Sequence, residues 1–105
     1  MKSLTPQELK SWLDEGKTFQ LIDVREEHER EICSIGGESI PMATIINQAN
    51  AIRTDCPVVI HCRSGKRSSS VIDALERHHG FDNLYNLNGG ILAYAEEIDS
   101  SLETY

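Results

Sequence analysis

Cys62 is the side chain in this sequence that is best placed for nucleophilic chemistry. It begins a run of six residues, three of them basic, in a chain whose formal net charge is -7. The run reads Cys62, Arg63, Ser64, Gly65, Lys66 and Arg67. Nearby positive charge favours a thiolate over the thiol, so these residues predict a lowered pKa for Cys62. Gly65 lets the chain curl so that backbone N–H groups point inward, and such a nest can hold a thiolate, a persulfide or an incoming oxyanion.

The other two cysteines lack such surroundings. Neither Cys33 nor Cys56 has basic neighbours at comparable density, so we interpret both as structural or incidental, with a resolving thiol as the alternative. Three cysteines at irregular spacing, without a Cys-x-x-Cys motif, argue against a disulfide framework and against a structural zinc site. The sequence therefore predicts reduced thiols in a cytoplasmic protein that requires no metal and no cofactor.

The elements on either side of the loop place Cys62 at the end of a strand. Residues 57–61 form an apolar, β-branched run that is typical of a central strand. Residues 67–79 show helical spacing of apolar residues, and Gly80 ends the helix. In α/β sheets, ligands bind at the carboxyl ends of strands, where a helix N-terminus offers free backbone N–H groups. His61 precedes Cys62, but adjacent strand residues point to opposite faces, so we interpret His61 as structural.

The rest of the chain is predicted to alternate between helices and strands. Thr5, Pro6 and Glu8 form a capping box for a helix that ends near Glu15. The further expected elements are a strand at 19–24, a solvated charged turn or short helix at 25–31, a helix at 42–52, a strand at 83–87, and a last helix with Ile91, Tyr94, Ala95 and Ile98 inward. Residues 39–41 are too short to predict a strand. This alternation predicts an α/β fold with an open parallel sheet covered by helices on both faces.

Apolar and acidic side chains add two further expectations. Leu9, Trp12 and Leu13 are predicted to form the buried stripe of the first helix. Four glutamates of the charged segment are interpreted as a solvated acidic face, with docking of a basic partner as the alternative. These glutamates are Glu26, Glu27, Glu29 and Glu31.

Length and charge restrict the class of protein. A chain of 105 residues with 39% hydrophobic content supports one core, so residues 1–105 are predicted to be a single domain. No apolar run approaches the ~20 residues that span a bilayer. Nonspecific binding to nucleic acid or to anionic membranes is disfavoured, because those partners attract clustered Lys and Arg over large areas. We therefore expect a cytoplasmic protein without nucleic-acid or membrane partners.

The segment from Cys62 to Ser68 resembles the active-site loop of rhodanese domains. The other matching segments are Asp23-Val24-Arg25-Glu26 after an early strand, Ile40-Pro41, and Asn88-Gly89-Gly90-Ile91 before the last helix. The resemblance implies that Cys62 bears a sulfur atom, that the loop amides hold its persulfide, and that Asp23 and Arg25 support the structure near the site. Ser68 adds a hydroxyl donor to the loop or caps the first helical turn. Residues 34–38 depart from the family pattern, because many relatives have a histidine there.

The final segment, residues 89–102, resembles the rhodanese domain fused to ubiquitin-activating-like enzymes of molybdopterin and thiamin synthesis. Domains of that kind pass sulfur to the activated C-terminus of a carrier protein. The resemblance implies a sulfurtransferase whose donor is thiosulfate or the persulfide of a cysteine desulfurase. Its acceptor would be cyanide, a low-molecular-weight thiol or a ubiquitin-like sulfur-carrier protein.

Two other functions stay open. A phosphatase or arsenate reductase on the same fold is disfavoured, because the loop from Cys62 to Arg67 is one residue shorter than the loop with which related phosphatases encircle a phosphate. A noncatalytic interaction module would bind its partner through the acidic face and would not depend on Cys62.

Overall fold

A parallel β-sheet of five strands forms the centre of the computed structural model, which describes residues 1–105. The strands are β1 (Lys2–Leu4), β2 (Gln20–Asp23), β3 (Glu38–Ser39), β4 (Val58–His61) and β5 (Leu84–Leu87). They are ordered β1-β5-β4-β2-β3, and every neighbouring pair is parallel. The predicted open parallel sheet is therefore confirmed.

Helices cover both faces of this sheet. They are α1 (Pro6–Asp14), α2 (Glu27–Ile32), α3 (Met42–Ile45), α4 (Lys66–His79) and α5 (Gly90–Glu97), and a 3-10 helix spans Ile46–Ala51. Ile22 and Ile60 belong to a buried cluster with residues of α3 and α4, whereas their neighbours Leu21 and Val59 belong to a second cluster that includes residues of α1 and α5. Because adjacent strand residues face opposite sides, each central strand contributes to both cores. No helix is both long enough and apolar enough to cross a bilayer.

The first helix begins and ends where its sequence signals predict. The Thr5 side chain accepts a hydrogen bond from the Glu8 N–H at 3.1 Å, and the Glu8 carboxylate accepts one from the Thr5 N–H at 3.0 Å. Gly16, just beyond the helix, has a φ of 67°. The predicted apolar stripe is wider than the observed one, because Leu13 is 43% exposed while Leu9 is fully buried.

Three local features differ from the sequence prediction. The edge strand β1 was not predicted, since it has three residues and only Leu4 is buried, so no alternation is visible. A two-residue strand, β3, pairs with β2 although its segment is too short to be recognised alone. The expected helix over residues 42–52 is broken into α3 and a 3-10 helix, with Gln48 outside helical geometry.

The pairing of β2 with β4 determines where polar side chains meet. Asp23 at the carboxyl end of β2 lies opposite His61 at the carboxyl end of β4 in the parallel register. Since Arg25 follows Asp23 and Cys62 follows His61, the two segments singled out in the sequence emerge from the same edge of the sheet, side by side.

Candidate active site

Cys62 lies immediately after β4, and its sulfur faces the N-terminus of α4. The residue is 1% exposed. Its Sγ accepts a hydrogen bond from the Gly65 N–H at 3.1 Å and a longer one from the Ser68 N–H at 3.4 Å. Gly65 precedes α4 with a φ of 100°, a conformation that residues with a Cβ rarely adopt. The glycine therefore lets the loop turn back so that backbone N–H groups converge on the thiol.

Hydrogen bonding lowers the pKa of the Cys62 thiol. Burial by itself raises that pKa, but the hydroxyl and the backbone N–H of Ser68, together with backbone N–H groups of Gly65 and Ser64, bring it below the usual value. The expected direction of the shift is therefore present, but its main cause differs from the flanking cations that the sequence indicated. Arg67 interacts electrostatically with Cys62, yet the hydrogen bonds contribute more.

Ser68 and Asn86 hold the inner side of the loop. The buried Ser68 Oγ lies 3.4 Å from Cys62 Sγ and 2.6 Å from Asn86 Oδ1. Asn86 Nδ2 in turn donates to the Gly65 carbonyl at 3.1 Å, which orients the peptide chain around Gly65. Sequence reasoning missed Asn86. The available signal was an amide side chain in the apolar run of β5, where a polar residue needs a partner.

Gly90 and the first turn of α5 fix the outer side of the loop. The Ile91 N–H donates to the Cys62 carbonyl at 3.0 Å, and the Leu92 N–H donates to the Arg63 carbonyl at 3.1 Å. A Cβ at Gly90 would lie 2.4 Å from the Arg63 carbonyl oxygen. The glycine pair belongs to the sequence pattern around Ile91, and in the structure Gly90 permits direct contact between α5 and the loop backbone.

Asp23 and Arg25 form a buried ion pair beside the loop. Neither side chain is exposed, and Arg25 Nη2 lies 2.8 Å from Asp23 Oδ2. Arg25 also donates to the carbonyl oxygens of Cys33 at 2.8 Å and Glu29 at 3.3 Å. Burial raises the pKa of Asp23, but the hydrogen bonds from Arg25 and the charge of its guanidinium bring it below the usual value. The pair thus ties α2 to the end of β2. The expectation that residues 25–31 are solvated is wrong for Arg25.

His61 is buried and holds no hydrogen bond to the Cys62 sulfur. Its Nδ1 lies 3.5 Å from the Cys62 carbonyl oxygen, and its Nε2 lies 3.8 Å from Asp23 Oδ2 without a hydrogen-bond partner. Burial lowers the pKa of His61 to about 4, although the negative charge of Asp23 partly opposes this shift. The imidazole is therefore neutral near pH 7 and packs beneath the site.

The three basic residues of the loop have different environments. Arg67 binds the Glu29 carboxylate with two hydrogen bonds of 2.8 Å, so it is not a free cation. Arg63 is exposed, and its guanidinium carbon lies 4.8 Å from the centre of the Tyr105 ring. Lys66 is exposed and makes no ion pair. Glu29 is 6% exposed, which corrects the interpretation of all four glutamates as a solvated face; the other three are exposed.

The site is a surface loop with a buried sulfur. Three pockets are present in the molecule, and neither Cys62 nor any residue of its loop lines them. All three cysteines are free, with Cys33 buried and Cys56 half-buried. No group of three or more His, Cys, Asp or Glu side chains is arranged to hold a metal ion. The chemistry available here is that of a thiol held by backbone N–H groups.

Comparison with known proteins identifies relatives over nearly the whole chain. The family model for the rhodanese-like domain matches residues 5–97. The probable adenylyltransferase/sulfurtransferase MoeZ of Mycobacterium tuberculosis is 33% identical over 106 residues, which cover 98% of this chain and 27% of MoeZ. The uncharacterized protein YqhL of Bacillus subtilis is 37% identical over 99 residues, covering 93% of this chain and 75% of YqhL.

Solved structures show the same architecture. A rhodanese-like domain protein from Staphylococcus aureus superimposes with a TM-score of 0.81 at 34% sequence identity, covering 100% of this chain and 99% of that protein. The chain spans about a quarter of the length of MoeZ but almost all of the staphylococcal protein.

Proposed function

This chain belongs to the rhodanese-like domain family, and on that premise we propose that it is a sulfurtransferase that carries sulfane sulfur as a persulfide on Cys62. Its relatives include proteins named as sulfurtransferases, among them MoeZ. We further propose that residues 1–105 act as one domain, in the cytoplasm, without metal or cofactor. The catalytic residue is Cys62, and residues 63–67 with Ser68 form the loop that holds its sulfur.

One observation carries the proposal: the thiol that ends β4 is the acceptor of converging N–H groups. Gly65 and Ser68 donate to Cys62 Sγ, and these bonds lower the pKa of the thiol although the residue is buried. A thiolate is the nucleophilic form of cysteine. The same donors and the dipole of α4 favour negative charge on sulfur in both the free and the persulfide states.

The proposed reaction is a double displacement. The Cys62 thiolate attacks the outer sulfur of thiosulfate; an S–S bond forms, the sulfur–sulfur bond of thiosulfate breaks, and sulfite leaves with the bonding electron pair. A thiophile such as cyanide then attacks the outer sulfur of the persulfide. The protein S–S bond breaks, the electron pair returns to Cys62, and thiocyanate leaves. No external oxidant or reductant is consumed.

Two donors fit this scheme. Thiosulfate is a small anion, and the exposed Arg63 and Lys66 offer positive charge beside the loop. The persulfide of a cysteine desulfurase is the second donor, and a ubiquitin-like sulfur-carrier protein is an acceptor besides cyanide and small thiols. The names of MoeZ and of the plant MOCS3 proteins combine adenylyltransferase with sulfurtransferase, which supports a protein partner.

A sulfurtransferase assay tests the proposal. The protein is incubated with thiosulfate and cyanide, and thiocyanate is measured; a second arm replaces thiosulfate by a cysteine desulfurase and cysteine. We expect turnover in at least one arm, its loss in Cys62→Ser, and its retention in the matched control Cys56→Ser. Turnover that survives Cys62→Ser would contradict the proposal. No turnover in either arm would instead favour a noncatalytic module of the same fold.

A further inference from the structure

Tyr105 joins two ion pairs that lie beside the Cys62 loop. Its hydroxyl oxygen is 2.9 Å from Arg25 Nη1, which donates to it, and 2.7 Å from Glu29 Oε2, to which it donates. Arg25 is paired with Asp23, and Glu29 is paired with Arg67 of the loop. Tyr105 follows Arg25 by 80 residues in the chain, so the contact is made only in the folded protein.

The face of the Tyr105 ring is directed toward a basic residue of the loop. The Arg63 guanidinium carbon lies 4.8 Å from the ring centre, while that of Arg25 lies 5.9 Å away. Guanidinium groups at such distances are attracted by the negative face of an aromatic ring. Arg63 makes no salt bridge, and the Tyr105 ring is the side chain on which its guanidinium packs. The phenol hydroxyl, held by two buried charged groups, prevents the ring from turning away.

Arg63 differs from Arg25 and Arg67 because no carboxylate compensates its charge. In the network beside the loop, the guanidinium groups of Arg25 and Arg67 are matched by the carboxylates of Asp23 and Glu29. The cations that remain without a carboxylate partner in the loop are Arg63 and Lys66. Of these two, Arg63 has an aromatic partner, whereas Lys66 is exposed and has none.

From these contacts we infer that Tyr105 is a positioning residue that holds the guanidinium of Arg63, the residue next to Cys62, and thereby selects anionic reactants at this loop. The inference rests on the proposed function, since it names the class of donor that this site attracts. Tyr105 touches no reacting atom. It acts through Arg63, whose guanidinium is available to the sulfonate oxygens of a donor such as thiosulfate.

Alkylation of Cys62 tests this inference without requiring sulfur transfer. Iodoacetate and iodoacetamide react with a thiolate in the same way, by displacement of iodide, but only iodoacetate is an anion. The ratio of their rates at Cys62, followed by peptide mass, therefore reports the positive charge held beside the sulfur. We expect Tyr105→Leu and Tyr105→Gln to reduce this ratio about three- to fivefold, the size of a cation–π contact at an exposed site.

Matched variants separate positioning from a loss of structure. Tyr105→Phe keeps the ring but loses the hydroxyl that fixes it, so its ratio should lie between those of the wild type and the ringless variants. Tyr85→Leu removes a ring that packs on Trp12 and should leave the ratio unchanged. In an Arg63→Ala background, Tyr105→Leu should have no further effect. A ratio that is unchanged in both ringless variants, or that falls equally with and without Arg63, would overturn the inference.

The kinetics of sulfur transfer then show whether Tyr105 affects the binding of thiosulfate or the rate of turnover. We expect Tyr105→Leu to raise the KM for thiosulfate about three- to fivefold with little change in kcat. If the wild-type protein shows no sulfur transfer, the proposed function fails while the alkylation ratio still tests Tyr105. If transfer occurs but neither KM nor the ratio responds to Tyr105, the inference fails and the proposed function stands.

Discussion

Individual hydrogen bonds stabilise negative charge on the Cys62 sulfur, and each bond is donated by one identifiable residue of the loop or of α4. The Gly65 and Ser68 N–H groups are backbone donors that only proline would remove, with a change of backbone geometry, whereas the Ser68 hydroxyl can be removed alone. That hydroxyl carries one proton. It lies close to Asn86 Oδ1, Gly65 O and Cys62 Sγ, so its bond to sulfur competes with the others.

Replacing Ser68 by alanine should raise the pKa of Cys62. Among the groups that lower this pKa, the Ser68 hydroxyl makes the largest contribution, and alanine retains the backbone N–H. The rate of alkylation by iodoacetamide, recorded across pH, measures the shift. Ser70→Ala is the matched control, because its hydroxyl bonds the Lys66 carbonyl and not the thiol. An unchanged pH profile in Ser68→Ala would refute this account of the thiol.

Replacing Glu29 by glutamine should destabilise the protein near pH 7 by about 1–3 kcal/mol, the usual cost of removing one partner of a buried charged hydrogen bond. The hydrogen bonds from Arg67 hold the pKa of Glu29 well below 4.5, the value for an unperturbed carboxyl. The carboxylate therefore contributes its full stabilisation above pH 4.5 and loses it as the pH falls toward the folded-state pKa.

Urea unfolding of wild type and Glu29→Gln at several pH values measures both expectations. The difference in free energy of unfolding should be largest above pH 4.5 and should shrink below it. Glu27→Gln is the control, since Glu27 lies exposed on the same helix. Equal stability of Glu29→Gln and wild type at pH 7 would show that the pair with Arg67 contributes nothing.

At the scale of elements, the loop is held between the helices that precede and follow β5 in the chain. The first turn of α4 presents N–H groups to the sulfur, and the first turn of α5 binds the carbonyl oxygens of Cys62 and Arg63. The close approach of α5 requires Gly90, whereas the glycine that ends α4, Gly80, faces open space. Both glycines have positive φ, so they form a natural pair for comparison.

Gly90→Ala should be more damaging than Gly80→Ala. The left-handed conformation costs an alanine about 1–2 kcal/mol at either position. At Gly90 the added Cβ would also lie 2.4 Å from the Arg63 carbonyl oxygen, so the loop must shift. Thermal unfolding and sulfur transfer, measured on both variants, check this. Equal stability and equal activity of the two variants would contradict the role of Gly90 in holding the loop.

At the scale of the whole molecule, features encoded by neighbouring residues were predictable, and contacts between distant residues were not. The cap at Thr5, the helix stop at Gly80 and the strand that leads to Cys62 were all visible, because each signal lies within a few positions. The bond between Arg67 and Glu29 spans 38 positions, and that between Ser68 and Asn86 spans 18. Composition cannot show which of four glutamates turns inward.

The parallel sheet brings these distant groups together. Asp23 and His61 are paired in register, so the segments that follow them, α2 and the Cys62 loop, must lie side by side. The neutral His61 lies 3.8 Å from the carboxylate of the Asp23–Arg25 ion pair, and all three residues are fully buried. The strand-to-helix motif around Cys62 could be predicted from the sequence. The buried residues that support this motif could not, because their positions depend on the order of the strands in the sheet.

Intact mass of the reduced protein, before and after incubation with a sulfane donor, tests the central claim most directly. Thiosulfate and a desulfurase with cysteine serve as donors, and cyanide is added afterwards. The account predicts a gain of one sulfur atom in wild type and in Cys56→Ser, no gain in Cys62→Ser, and removal of that sulfur by cyanide as thiocyanate. A sulfur retained in Cys62→Ser, or no gain from either donor, would contradict it.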